Sequence, residues 1–177
     1  QTVEVVKRIC QQYPHIPLVL DPVLAANSGG SLTLDGFIDT LKTLFAFAHV
    51  ITPNTLEAER LTGLLTANNE AELIQALLKQ GAQSVLLKGG HEQGQMLRNR
   101  LYQHGQLVQT SQWPRLAGEF HGSGCSLASA IAAGLAHGLP LAIAVTRAEV
   151  WLHHTLQQAD KPHAQGQSIP KRIHSSP

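Results

Sequence analysis

The sequence predicts a layered α/β domain with a largely parallel central sheet. Three observations carry that reading. Helix-period segments and short apolar segments alternate three times between residues 2 and 87. The apolar segments do not alternate with polar residues, as suits strands covered on both faces. Reactive side chains stand just after them, at the carboxyl ends of strands where open α/β sheets bind ligands.

Each element follows from a local pattern. Val3, Val6 and Ile9 share one face of a helix over 2–12, with Val5 and Cys10 beside them. Pro14 and Pro17 end it, and Leu18 to Leu20 form a strand closed by Asp21-Pro22. Residues 25–31 (AANSGGS) read as a loop. Leu34, Phe37, Ile38, Leu41 and Leu44 then recur at helical spacing before a strand from His49 to Thr52, ended by Pro53. Helices are expected over 55–62 and 70–79, with Gly81 placed to stop the second.

Ser84 to Leu87 reads as a third buried strand. Residues 91–100 read as a polar excursion, and 100–102 with 106–112 as a hairpin turning at His104-Gly105. From Gly122 to His137 the residues are small and apolar, as in a tightly packed helix, and Pro140 opens a last helix reaching about residue 158. The polar stretch after it reads as loop or partly disordered.

The totals narrow the function. The 177 residues suffice for one domain with a substantial core. Thirteen Lys+Arg face twelve Asp+Glu without a basic block, so no nucleic-acid partner is expected. No apolar run reaches roughly 18 residues, and no signal-peptide pattern opens the chain, so no membrane partner is expected either. Cys10 and Cys125 lie far apart in unlike contexts, which disfavours a disulfide and suits a reducing cytoplasm. The chain opens on Gln1 and holds its sole methionine at Met96. A helix running straight into a strand looks like the middle of an α/β domain, so an N-terminal segment is expected to be missing.

Asp21 follows the first strand, Asn54 and Glu57 the second, and Lys88 the third. Each has a plain alternative: Asp21 as a turn residue, Asn54 as a helix cap, Glu57 as a first-turn carboxylate, and Lys88 as part of a turn. Together they place two acids, an amide and a cation on one rim, a set suited to hydrated magnesium and polyphosphate.

The strongest local signal is His121-Gly122-Ser123-Gly124-Cys125-Ser126 at the start of a helix. Two glycines let backbone N–H groups approach an anion, and the helix start adds partial positive charge. That field favours thiolate at Cys125, as a general base would require. The alternative is a small buried hydrophobe, the usual fate of free cysteine and the reading for Cys10. A zinc site lacks ligand spacing, and His153-His154 are adjacent rather than on one helix face. Gly122-Ser123-Gly124 also fails the Gly-x-Ser-x-Gly order of a nucleophile elbow.

Four segments occur in a familiar order: VLDPVLAANSG (19–29), ITPNTLEAERLTG (51–63), VLLKGGH (85–91) and FHGSGCSLASAIAAGLAHGL (120–139). They resemble the hydroxymethylpyrimidine/phosphomethylpyrimidine kinases, and Gly166-Gln167 with Ile169-Pro170 is similar to a tail of some members. The resemblance implies a three-layer α/β/α ribokinase-like fold with its N-terminal strands missing. It makes residues 1–160 the C-terminal part of one kinase domain and 161–177 a polar tail.

That resemblance also implies roles. Cys125 is the catalytic base, where most ribokinase-like kinases carry an acid, and Gly122, Ser123 and Gly124 form the anion hole. Asn54 and Glu57 match an Asn-x-x-Glu motif that organises magnesium and phosphate. Asp21 lies near the metal, and Lys88 near the nucleotide phosphates. ATP and Mg2+ are the implied cofactors, a pyrimidine alcohol and its monophosphate the substrates, and a homodimer the implied assembly. Ser123 replaces the threonine of many relatives and keeps a small hydroxyl. The family's first strands and much of its pyrimidine pocket are not seen here, so the chain alone is expected to be weakly active or inactive. A pyridoxal kinase of the same fold and a non-catalytic nucleotide-binding remnant are the alternatives.

Overall fold

The computed structural model describes residues 2–24, 36–65, 69–90, 94–161 and 166–172. The loop read over 25–31 and His91 lie outside them. The chain divides into two compact units, Gln1–Gln112 and Trp113–Pro177.

The first unit runs α1 (Thr2–Gln12), β1 (Leu18–Leu20), α2 (Phe37–Lys42), a 3₁₀ turn (Phe45–Phe47), β2 (Ala48–Ile51), α3 (Thr55–Thr62), α4 (Glu70–Lys79), β3 (Ser84–Lys88) and β4 (Met96–Gln103). The sheet is ordered β1-β2-β3-β4-β5, with β5 spanning Gln106–Pro114. β1–β2 and β2–β3 pair in parallel, with Leu20 opposite Ile51 and Ile51 opposite Val85. β3–β4 is antiparallel, from Ser84 opposite Gln103 to Lys88 opposite Asn99.

One cluster of buried side chains includes Phe45, Leu73, Leu77, Val85 and Leu87, with Val3 and Val6 of α1 packed against it. Leu86 projects from the other face of β3 and is buried too. Both faces of β3 are therefore dry, which is why its sequence shows no polar alternation. The start of α4 is fixed by a side chain. Asn69 Oδ1 accepts from the N–H groups of Ala71 and Glu72 at the start of α4. Glu70 and Glu72 in its first turn and Lys79 in its last suit the helix dipole.

Two expectations need correction. The helix read through Leu44 stops at Lys42, where Thr43 Oγ1 donates to Thr40 O at 2.7 Å and the chain tightens into the 3₁₀ turn. Part of the polar excursion over 91–100 is strand: β4 begins at Met96, and its Asn99 and Arg100 pair with Lys88 and Leu87 of β3.

In the second unit, α5 (Ser123–Ala136) and α6 (Leu141–Gln157) pack together. Gly134 permits the close approach: a methyl there would stand 2.9 Å from Ala144 Cβ. Leu127 and Ile131 of α5 and Val145 and Ala148 of α6 are buried. Within the polar stretch, residues 168–171 make backbone hydrogen bonds that its composition does not suggest. His121 N–H donates to Ser168 O at 2.9 Å and Ser168 N–H to Glu119 O at 2.7 Å, while Asp160 and Ile169 exchange two backbone bonds. Backbone pairing, which composition does not report, holds residues 168–169 beside the entry to α5.

Candidate active site

The predicted residues form two groups, one in each unit. In the first, Asp21 leaves β1 with its carboxylate mostly buried. Lys88 Nζ, at the end of β3, donates to Asp21 Oδ1 at 2.8 Å, and Thr52 Oγ1 donates to the same oxygen at 3.0 Å. The parallel register makes this possible, since Thr52 N–H bonds Leu20 O and Lys88 N–H bonds Pro53 O, aligning three strand ends.

Asn54 and Glu57 close a capping box on α3. Glu57 N–H donates to Asn54 Oδ1, and Asn54 N–H to Glu57 Oε2, both at 2.8 Å. Asn54 also bridges to Lys88 across the sheet edge. Glu57 is 8% exposed. Burial raises its carboxyl above the usual value of 4.5; the Lys88 charge and the Asn54 N–H oppose that rise, Asp21 adds to it, and the Leu24 N–H opposes it. Two carboxylates with one neutralising ammonium thus share a partly desolvated rim. Thr52 and the Leu24 amide were not singled out from the sequence. A hydroxyl directly after a strand that ends in Asn-x-x-Glu was the available signal for Thr52.

In the second unit, Gly122 is the N-cap of α5 with φ 76° and ψ 12°, and no side chain caps the helix. A residue with a Cβ adopts that backbone only with strain. Ser126 N–H to Gly122 O, 3.0 Å, is the first helical bond, so the N–H groups of Ser123, Gly124 and Cys125 precede it. Cys125 is exposed, which removes the alternative of a buried hydrophobe, whereas Cys10 is half-buried.

Arg172 is a further residue the sequence did not reveal. Its Nε donates to Ser126 Oγ at 2.9 Å, and that hydroxyl in turn donates to Gly122 O at 2.7 Å. A cavity of about 560 Å3 lies beside these groups, lined by Cys125, Ser126, Ala133, Arg147, Trp151 and Arg172 among others. Among the described residues no group of three or more His, Cys, Asp or Glu side chains is placed to hold a metal, and no helix is long and apolar enough to cross a membrane.

Known proteins are similar to this chain in sequence and in fold. A hydroxymethylpyrimidine/phosphomethylpyrimidine kinase of Rhizobium meliloti is 40% identical over 147 residues, covering 81% of this chain and 55% of that protein. The phosphomethylpyrimidine kinase of Clostridium difficile superposes with a TM-score of 0.70 at 27% identity, covering 87% of this chain and 63% of that one. A pyridoxal kinase of Staphylococcus aureus superposes at 0.80 with 25% identity, covering 97% and 64%. The fold is thus ribokinase-like α/β, and the chain spans about half the length of the curated relatives it matches. The profile described as phosphomethylpyrimidine kinase matches residues 1–170. With the strand-end rim, the glycine turn and Cys125 all inside the matched span, the chain belongs to the phosphomethylpyrimidine kinase family.

Proposed function

We propose that this chain forms the phosphoryl-transfer part of an ATP-dependent kinase acting on 4-amino-5-hydroxymethyl-2-methylpyrimidine and then on its monophosphate. The observation that carries the reading is the pairing of an exposed Cys125 with a glycine turn at the start of α5. Family membership supplies the substrate class.

The chemistry follows from the residues. Transfer of a phosphoryl group needs positioning and charge neutralisation more than covalent help. The N–H groups of Ser123, Gly124 and Cys125 would bind the transferred group's oxygens. Cys125 Sγ would accept the proton of the attacking hydroxyl in the first reaction. Asp21 and Glu57 fit magnesium, which takes one or two carboxylates and keeps water and phosphate as its other ligands. When bound, magnesium would draw charge from the phosphates. Asn54 would hold Glu57 in place through the capping box, and Lys88 would balance charge at the rim.

Pyridoxal is the rival substrate, because pyridoxal kinases share the fold. Steady-state assays with Mg·ATP and either pyrimidine or pyridoxal decide between them. Pyrimidine-dependent ADP release is the expected result. Preferential use of pyridoxal would move the assignment, and no turnover with either would support a non-catalytic nucleotide-binding role.

A further inference from the structure

We propose that Arg172 is a phosphate-binding residue of the glycine turn, supplying a positive charge at the start of α5. This rests on the kinase reading above and goes beyond it by adding a residue from the C-terminal segment.

Two observations combine. First, Arg172 has no carboxylate partner among the described residues, and its Nε bonds the neutral Ser126 hydroxyl. Second, the guanidinium is aimed at the turn. A methyl on Gly122 would stand 2.7 Å from Arg172 Nη2, so the terminal nitrogen occupies the space that the absent side chain leaves open.

Arg172 reaches this position through built structure. Ser168 and Ile169 pair with Glu119, His121 and Asp160, and Lys171 N–H bonds Thr155 O at 3.3 Å. The strap therefore runs beside the segment that enters the turn. A guanidinium fork held at Nε, with Nη2 beside a left-handed glycine at the start of a helix, suits phosphate oxygens better than a lysine would. The competing role is a purely structural pin that steadies Ser126.

Four measurements on the full-length protein separate these roles: kcat/KM for Mg·ATP, calorimetric binding of Mg·ADP, thermal unfolding, and rescue of Arg172→Ala by added guanidinium. Arg172→Gln is expected to lower kcat/KM roughly 10- to 100-fold, the scale of a lost charge-assisted hydrogen bond. Arg172→Lys should recover part of that loss, and guanidinium should partly rescue Arg172→Ala. Ser126→Ala removes the same hydrogen bond but leaves the cation, so it should have a much smaller effect. Equal losses in Ser126→Ala and Arg172→Gln, or no loss in Arg172→Gln, would overturn the proposal. Mg·ADP binding that weakens on Arg172→Gln in a protein that phosphorylates no pyrimidine would sink the substrate assignment and leave Arg172 standing. A wild-type protein that binds no nucleotide would overturn both.

Discussion

Lys88 Nζ lies 2.8 Å from Asp21 Oδ1, joining residues 67 positions apart at the ends of two strands separated in the sheet by β2. Both side chains are 12% exposed; the Lys88 ammonium and the Thr52 hydroxyl both donate to the Asp21 carboxylate, and the Lys88 charge also faces Glu57. Substituting one partner alone leaves a desolvated charge behind. Asp21→Asn or Lys88→Met should each lower stability by about 3 kcal/mol. The double substitution should lose clearly less than the sum of the two. Urea denaturation of the four proteins measures the coupling, and strict additivity would show that the pair is not energetically linked.

Glu57 gives a pH signature. Burial is the dominant cause of its raised pKa, so the folded protein binds this proton more tightly than the unfolded chain does. Between 4.5 and the raised value the folded state carries the greater share of protons. The associated stability is present in full below 4.5 and is lost as pH rises through the folded pKa. Glu57→Gln is uncharged throughout and keeps an acceptor for the Asn54 N–H. The wild type should therefore lose stability relative to Glu57→Gln as pH climbs above 4.5. Denaturation curves from about pH 4 to about pH 7 test this, and a flat difference would mean that desolvation does not dominate.

Gly122→Ala meets a left-handed backbone at φ 76°, and its methyl would push aside the tip of the Arg172 side chain, 2.7 Å away. The backbone strain alone is worth about 1–3 kcal/mol. Combining Gly122→Ala with Arg172→Ala should relieve the contact but not the strain. Calorimetric unfolding should show partial recovery in the double variant, and full recovery would assign the whole penalty to Arg172.

Much of this molecule was legible in its sequence for physical reasons. The limits of α3 and α4 follow from local signals, an Asn cap at each start and a Gly soon after each end. β3 was readable because both of its faces are dry, which demands an unbroken apolar run. The rim residues were readable because parallel strands present their ends together. Contacts set by distant pairing were not readable. β4 pairs along β3 from Asn99 to Gln103, and the strap of residues 168–172 is held by backbone bonds to Glu119, His121 and Thr155. Arg172 sits in a polar tail whose composition gives no hint of a partner. For the same reason Thr52 was seen only as the end of a strand rather than as a ligand of Asp21.

The most direct test of the account is the turnover of Cys125→Ala with hydroxymethylpyrimidine and Mg·ATP, alongside its affinity for Mg·ADP. If Cys125 is the base, turnover should fall roughly 10²–10⁴-fold, while Mg·ADP binding stays close to that of the wild type. Turnover equal to the wild type would contradict the assignment of Cys125 and with it the chemistry proposed for the glycine turn.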